Sequence, residues 1–145
     1  GSELDADFNP VEAGMAFPKV KPQDFIGKDA YLKQREGEPA AVLCSLTVDD
    51  HTSSTGEKRY MIGHVPVLTR DGGPIEDAHG RRSYVTSAGM GPSLGKYILM
   101  AYLPPEHAVV GNQLKVEYFL DHYPATVAAV GATPLLDPEN SRMKG

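Results

Sequence analysis

The chain has 145 residues, a mass of 15.6 kDa, 41% apolar residues and a formal net charge of −5. This size suits one compact domain, the ordinary apolar fraction excludes intrinsic disorder, and the single cysteine, Cys44, excludes a disulfide framework. The negative net charge gives no general attraction to nucleic acid or to anionic membranes. The sequence shows neither a membrane-spanning apolar run nor a signal peptide. With one cysteine and no possible disulfide framework, we expect a reducing compartment.

The N-terminal part is interpreted as a tag remnant followed by an arm. Gly1-Ser2 resembles the scar of a cleaved expression tag, and residues 3–23 show no regular hydrophobic period. Pro10, Pro18 and Pro22 interrupt any long helix or strand ladder in this stretch. We therefore predict an extended arm over residues 3–23, which needs a surface to lie against, and a separate domain over residues 24–145.

A short helix is predicted over residues 28–35, where proline is absent and Phe25, Ile26, Tyr31 and Leu32 could form one apolar stripe. The segment 19–35 also carries five cations against two anions, which favours either a small anionic ligand or a solvated helix face. Residues 40–48 are rich in β-formers and predict a strand with Cys44 inside.

Beyond residue 57, short apolar runs alternate with turn residues. Asp71-Gly72-Gly73 predicts a β-hairpin, because Asp-Gly tolerates the positive φ of a tight turn. Asp121-His122 is predicted as the two-residue turn between the last two strands. Six or seven short strands, one helix and no βαβ alternation predict a mainly β fold, either a small barrel or a sandwich. The predicted strands after the hairpin cover residues 82–87, 97–103, 114–120 and 123–130.

The sequence contains no complete catalytic or metal-binding set. The five histidines form no i, i+4 pair and no Cys/His spacing, so we expect loop histidines and no metal site. Cys44 lies in an apolar run where a thiolate is costly, which favours packing over nucleophilic catalysis. Residues 89–96 resemble a phosphate loop only superficially, since Met90 replaces its first glycine and Tyr97 its Ser/Thr, and we expect a tight strand connection there.

Several motifs in collinear order resemble the C-terminal barrel domain of glycine-cleavage T-proteins. Asn9-Pro-Val-Glu-Ala-Gly-Met15 and Asp24-Phe-Ile-Gly-Lys28 resemble the segment that leads into that barrel. Later matches are Tyr84-Val-Thr-Ser-Ala-Gly89, Pro92-Ser-Leu-Gly-Lys96, Met100-Ala-Tyr-Leu-Pro104, Gly111-Asn-Gln-Leu114 and Tyr123-Pro-Ala-Thr126. The ending 134–145 is similar to the sarcosine and dimethylglycine dehydrogenase branch. The resemblance implies a small antiparallel barrel of six to seven strands, with residues 3–23 as the tail of the preceding folate-binding domain.

The resemblance implies the C-terminal module of a tetrahydrofolate-dependent one-carbon-transfer enzyme, in this branch an FAD-dependent oxidoreductase. The flavin half and further folate-binding domains would precede these residues on the same polypeptide, and the substrate would be a small N-methylated amine or an aminomethyl donor. The alternatives are a stand-alone aminomethyltransferase, a tetrahydrofolate-dependent demethylase without flavin, and a non-catalytic folate-binding or docking module. The compartment would be the bacterial cytoplasm or the mitochondrial matrix.

The family's catalytic aspartate belongs to its first domain, so we assign no catalytic residue and expect the fragment alone to be inactive. Four residues match possible folate contacts. Phe17 stands where relatives have Trp or Tyr, and its ring could pack on the pterin or against the barrel. Glu12 could hydrogen-bond pterin nitrogens or fasten the arm to backbone N–H groups. Lys19 and Lys21 lie near a basic cluster of the family and would offer point charges to the folate carboxylates.

Overall fold

The computed structural model describes residues 2–16, 20–139 and 141–142. One helix, α1, precedes six strands, which confirms the predicted mainly β fold with a single short N-terminal helix. The helix begins and ends one residue from the predicted bounds or closer. The elements are a 3₁₀ turn at Ser2–Leu4, α1 at Lys28–Glu36, and strands β1 at Val42–Val48, β2 at Val67–Thr69, β3 at Val85–Gly91, β4 at Lys96–Leu103, β5 at Gln113–Tyr118 and β6 at Asp121–Val130.

The six strands form one antiparallel sheet in the order β2-β5-β6-β1-β4-β3. The sheet curls so that its two edges meet, because the residues before β2 pair with those before β3. Pro66 and Tyr84 form an isolated bridge, and the Val67 N–H donates to the Ser83 carbonyl at 3.0 Å. The fold is therefore a small barrel-like sheet whose edges are joined by a bridge and not by a continuous ladder.

Alternating side chains of the strands fill the interior. Along β6, Tyr123, Ala125 and Val127 are buried at every second position, as expected for a strand with one face inward. Cys44 lies in the same core and is 1% exposed, and burial raises the pKa of its thiol to about 12. The prediction that Cys44 packs in the core is confirmed.

Two of the predicted turns are confirmed. Gly72 has a φ of 89°, and the Thr69 N–H donates to the Gly73 carbonyl at 2.9 Å, which closes the predicted hairpin. Residues 92–95 join β3 to β4, and the Leu94 N–H donates to the Gly91 carbonyl at 3.0 Å. This segment is a tight strand connection, as predicted.

The predicted turn at Asp121-His122 is wrong by two residues. Both residues belong to β6, where Asp121 pairs with Tyr118, and the turn consists of Phe119 and Leu120 with φ values of 51° and 65°. The polar residues Asp121 and His122 suggested a turn, and the apolar residues Phe119 and Leu120 suggested a strand. The register is instead fixed by Val116 and Tyr123, which pair with each other and are both buried in the core. Left-handed backbone costs about 1–2 kcal/mol for each L-residue, so this turn is strained.

The expected apolar stripe of α1 does not pack on the barrel. None of the residues of α1 is buried, and Ile26, directly before it, has a relative exposure of 104%. The helix follows Gly27, whose φ is 85°, and no side chain caps its first turn. The Lys28 ammonium instead donates to the Pro22 and Gln23 carbonyls at 3.0 and 3.2 Å and thereby links α1 to the end of the arm.

We expect the double substitution Phe119→Asn/Leu120→Gly to stabilise the fold by about 1 kcal/mol, because Asn-Gly adopts this turn with little strain. Urea unfolding measures the change. The matched control is Val109→Asn/Val110→Gly, which replaces another exposed apolar pair outside the left-handed region and should bring no gain. Equal or lower stability of the turn variant would contradict the strain argument.

Candidate functional site

Part of the arm folds into one helical turn, which corrects the prediction that it is extended throughout. Asn9 Oδ1 accepts hydrogen bonds from the N–H groups of Val11 and Glu12 at 2.9 and 3.0 Å, and Glu12 Oε2 accepts one from the Asn9 N–H at 2.9 Å. This reciprocal pattern is a capping box, with Pro10 at the first helical position where proline is tolerated. This helical turn directs the Glu12 side chain towards the barrel.

Glu12 is a buried carboxylate held by an ion pair with the partly buried Arg81. Its Oε1 accepts from Arg81 Nη2 at 2.5 Å and from the Ala41 N–H at 3.3 Å, and its side chain is only 2% exposed. The Arg81 guanidinium also donates through Nε to Asp77 Oδ2 at 2.7 Å and through Nη1 to the Asp7 carbonyl. One guanidinium therefore joins the arm at two points to the loop before β3.

An aromatic stack supports this ion pair. The Phe8 ring lies parallel to the Tyr102 ring, with 3.6 Å between centroids, and the Arg81 guanidinium carbon is 4.3 Å from the Phe8 centroid. Tyr102 packs with Ala41 and Leu43 in a second apolar cluster. Its hydroxyl donates to the Glu3 carbonyl at 2.6 Å. We call the set Phe8, Glu12, Asp77, Arg81 and Tyr102 the arm latch.

Three members of the latch, Asp77, Arg81 and Tyr102, have shifted pKa values. Burial alone would raise the pKa of Asp77, but hydrogen bonds from Arg81 and from the His79 N–H lower it below the ordinary value. Burial alone would lower the pKa of Arg81, and its bonds to Glu12 and Asp77 raise it instead. Burial, with the negative charge of Glu12, raises the pKa of Tyr102 to about 12. At neutral pH the Asp77 carboxyl is therefore ionised and the Tyr102 phenol is neutral.

The four predicted folate contacts have different outcomes. Phe17 and Lys19 lie outside the described residues. Glu12 contacts two backbone N–H groups, which is one of its two predicted roles, and its contact with a pterin stays a prediction. Lys21 is exposed and lines an open cleft of about 1030 Å³ between the arm and the start of α1. The other lining residues are Pro10, Met15, Val20, Gln23, Asp24, Phe25, Ile26, Gly27 and Tyr31.

Sequence reasoning singled out only Glu12 among the members of the latch and assigned no site role to Phe8, Asp77, Arg81 or Tyr102. The capping box was readable, since Asn9-Pro10-Val11-Glu12 has the spacing of a helix start. The partner of Glu12 was not, because Arg81 lies 69 positions away and looks like an ordinary loop arginine. A contact at this separation depends on the closed sheet and has no local signal.

Two features are absent from residues 2–16, 20–139 and 141–142. In these ranges, no group of three or more His, Cys, Asp or Glu side chains is placed to hold a metal ion. The helices found there are too short or too polar to cross a bilayer.

Comparison with known proteins places the fold and the sequence in one group. Residues 43–137 match the family described as glycine cleavage T-protein C-terminal barrel domain. Mitochondrial dimethylglycine dehydrogenase of Mus musculus is 34% identical over 99% of this chain, an aminomethyltransferase of Caldanaerobacter subterraneus is 32% identical over 80%, and trimethylamine-oxide aldolase of Ruegeria pomeroyi is 28% identical over 98%. The chain spans only 15%, 27% and 16% of these three relatives.

A solved structure shares the architecture. The crystal structure of glycine cleavage system aminomethyltransferase T from Bartonella henselae superposes with a TM-score of 0.70 over 88% of this chain, which corresponds to 33% of that chain. The sequence identity is 20%, so this likeness supports the fold alone.

We expect Arg81→Ala to destabilise the fold by about 3 kcal/mol, because it leaves the buried carboxylates of Glu12 and Asp77 without a cation. Arg82→Ala is the matched control, since the neighbouring pair Arg82–Glu76 is exposed and its loss should change the free energy of unfolding by about 0.5 kcal/mol or less. Urea unfolding measures both. Equal effects of the two substitutions would show that the latch contributes no more than a surface pair.

The lowered pKa of Asp77 predicts the pH dependence of the latch. A carboxyl whose pKa is lower in the folded state stabilises the fold above its ordinary value of 3.8 and loses that contribution as the pH falls below it. We therefore expect the stability difference between the wild type and Arg81→Ala to be constant near neutral pH and to shrink below about pH 4. Unfolding at a series of pH values tests this, and a difference that grows on acidification would contradict it.

Proposed function

The chain belongs to the family of glycine cleavage T-protein C-terminal barrel domains, and on this premise we propose that it is the C-terminal module of a tetrahydrofolate-dependent one-carbon-transfer enzyme. It spans a third or less of each relative named above, so in this proposal most of the enzyme lies in other domains of the same polypeptide. The barrel forms one wall of the folate site and has no catalytic residue of its own.

Within this family we propose an FAD-dependent enzyme of the dimethylglycine or sarcosine dehydrogenase type. The observation that carries this choice is the extent of the similarity. It covers 99% of the chain at 34% identity for the mouse dimethylglycine dehydrogenase, including the arm and the C-terminal tail, against 98% at 28% identity for the trimethylamine-oxide aldolase and 80% at 32% identity for the aminomethyltransferase. The flavin belongs to a part of the parent protein outside these 145 residues, and the substrate is a small N-methylated amine.

The second candidate is a stand-alone aminomethyltransferase or another tetrahydrofolate-dependent demethylase without flavin. It is supported by aminomethyltransferases with 32% identity. The mouse relative is named as mitochondrial and the aminomethyltransferases come from bacteria, so we propose a mitochondrial matrix or bacterial cytoplasmic location. A module that only binds folate or docks another subunit is the remaining alternative.

The residues beside the cleft are chemically suited to tetrahydrofolate. Tetrahydrofolate, when bound, accepts a one-carbon unit at the oxidation level of formaldehyde. Met15, Phe25 and Tyr31 offer apolar and aromatic surface to its rings, and the exposed ammonium of Lys21 offers a point charge to its glutamate carboxylates. Phe17 and Lys19 are proposed as further contacts. Glu12 is proposed mainly to position the arm, because a pterin contact requires one of its present hydrogen bonds to break.

The experiment that tests the proposal compares the full-length parent protein with the 145-residue chain. We expect the parent to show a flavin absorption spectrum, to oxidise an N-methylated glycine and to bind tetrahydrofolate. The isolated chain should show no micromolar binding in titration calorimetry, because it supplies only one wall of the pocket. A parent without flavin that transfers an aminomethyl group would establish the second candidate, and one that binds folate without either activity would establish the non-catalytic module.

A substitution links the binding to this chain. Lys21→Gln in the parent should weaken tetrahydrofolate binding about fivefold, the loss of roughly 1 kcal/mol from one screened charge contact. The melting temperature should stay constant, because Lys21 is exposed. Lys115→Gln on β5 is the matched control and should leave the affinity unchanged. Unchanged affinity in Lys21→Gln would remove Lys21 from the folate site.

A further inference from the structure

One guanidinium determines where the start of the arm lies on the barrel. Arg81 donates to both carboxylate oxygens of Glu12, at 2.5 and 3.3 Å, and to the Asp7 carbonyl. Its Nε donates to Asp77 Oδ2 at 2.7 Å, while Asp77 Oδ1 accepts from the N–H groups of His79 and Arg81 at 2.9 and 3.0 Å. The loop before β3 therefore holds the guanidinium from one side in a fixed orientation, and the guanidinium presents its other edge to the arm.

The arm is fixed along its way from this contact to the cleft. The Glu12 carbonyl accepts from the Leu43 N–H of β1 at 2.9 Å. The Met15 N–H donates to the Pro10 carbonyl at 2.8 Å, which closes the helical turn of the arm. Gly14 has a φ of 69°, and a Cβ at this position would lie 2.9 Å from the backbone that follows β6. Because Pro10 and Met15 line the cleft, the contact at Glu12 sets the position of one cleft wall.

Closure of the barrel does not account for this contact. The main apolar core cluster contains neither Arg81 nor its acidic partners. Net stability is a weak explanation too, because desolvation of the Glu12 and Asp77 carboxylates offsets much of their attraction to the cation. What the contact does fix is one arrangement of the arm relative to the cleft.

We propose that Arg81 is a positioning residue of the tetrahydrofolate site. It holds Glu12 and, through the helical turn of the arm, places Pro10 and Met15, while it lies outside the cleft lining itself. The inference rests on the proposed function for the identity of the ligand. The geometry requires arginine, because a lysine ammonium is a single point charge and cannot hold two carboxylates and a carbonyl in these directions at once.

The substitution Arg81→Lys in the full-length parent separates positioning from stability. The lysine keeps a cation between the two carboxylates, so we expect the parent to stay folded. The arm is then no longer held in one place, and tetrahydrofolate should bind about tenfold more weakly in titration calorimetry. Arg82→Lys, at the neighbouring exposed ion pair, is the matched control and should leave the affinity and the melting temperature unchanged.

A core substitution controls for general destabilisation. Val116 belongs to the main core cluster, whereas Phe8 and Ala13 of the arm pack on the second cluster. Val116→Ala should therefore lower the melting temperature and leave the tetrahydrofolate affinity unchanged. Wild-type affinity in Arg81→Lys would overturn the proposal. An equal loss of affinity in Val116→Ala would overturn it as well, because destabilisation would then explain both results.

A double-substitution cycle tests the route of the effect. Met15→Ala removes apolar surface from the cleft and should weaken binding about threefold. If Arg81 acts by placing the arm wall, Arg81→Lys should cost less affinity in the Met15→Ala background than in the wild type. Additive losses are typical of independent sites and would overturn the proposal.

Hydrogen exchange reads the placement of the arm without a ligand. The N–H groups of Gly14 and Met15 donate within the helical turn of the arm at 3.0 and 2.8 Å. In the parent they should exchange about tenfold faster in Arg81→Lys than in the wild type, because local opening of the arm becomes easier. The amides of β5 and β6 are the internal reference and should not change. Unchanged exchange at Gly14 and Met15 would overturn the proposal.

The proposed function fails by a different result. A wild-type parent that does not bind tetrahydrofolate rejects the folate function, and the assignment of Arg81 to that site with it. A wild-type parent that binds tetrahydrofolate no more tightly than Arg81→Lys keeps the folate function and rejects the positioning role alone.

Discussion

The guanidinium of Arg81 is the contact on which the N-terminal third of the structure depends. It lies between the carboxylates of Glu12 and Asp77, each 3% exposed or less, and over the ring of Phe8. Buried carboxylates are costly to desolvate, and only a well-placed cation with further hydrogen bonds offsets that cost. The backbone N–H groups of Asn9 and Ala41 complete the set for Glu12, so the arm has one well-defined position on the barrel.

This position matters for the cleft. Pro10, next to the capping residue Asn9, lines the cleft together with Met15 and Lys21 further along the arm. A shift of the latch therefore moves one side of the cleft relative to α1 on the other. The ion pair is not needed to close the barrel, whose core is apolar, and its cost is better explained by the placement of the arm. In this view Arg81 is a positioning residue for the proposed folate site.

The sequence predicted what depends on local pattern. Alternation of apolar residues located the strands from β1 to β6, Asp71-Gly72 located a hairpin, and the apolar surroundings of Cys44 placed it in the core. The turn at Phe119 and Leu120 was not predicted, because the strand register overrode the local turn preference of Asp121-His122. The ion pair between Glu12 and Arg81 was not predicted, because only the closed sheet brings these two residues together. Phe17 and Lys19 rest on the family resemblance alone.

The barrel and helix α1 differ in how completely they are packed within this chain. The barrel buries a continuous apolar core and joins its sheet edges, so its fold is satisfied within these residues. Helix α1 and the apolar residues before it bury almost nothing here, although they lie beside the cleft that carries Lys21. A module whose core is complete and whose cleft is open on one side is suited to close a site that another domain begins. That asymmetry, more than any single side chain, is the structural feature from which we propose a pocket shared with another domain.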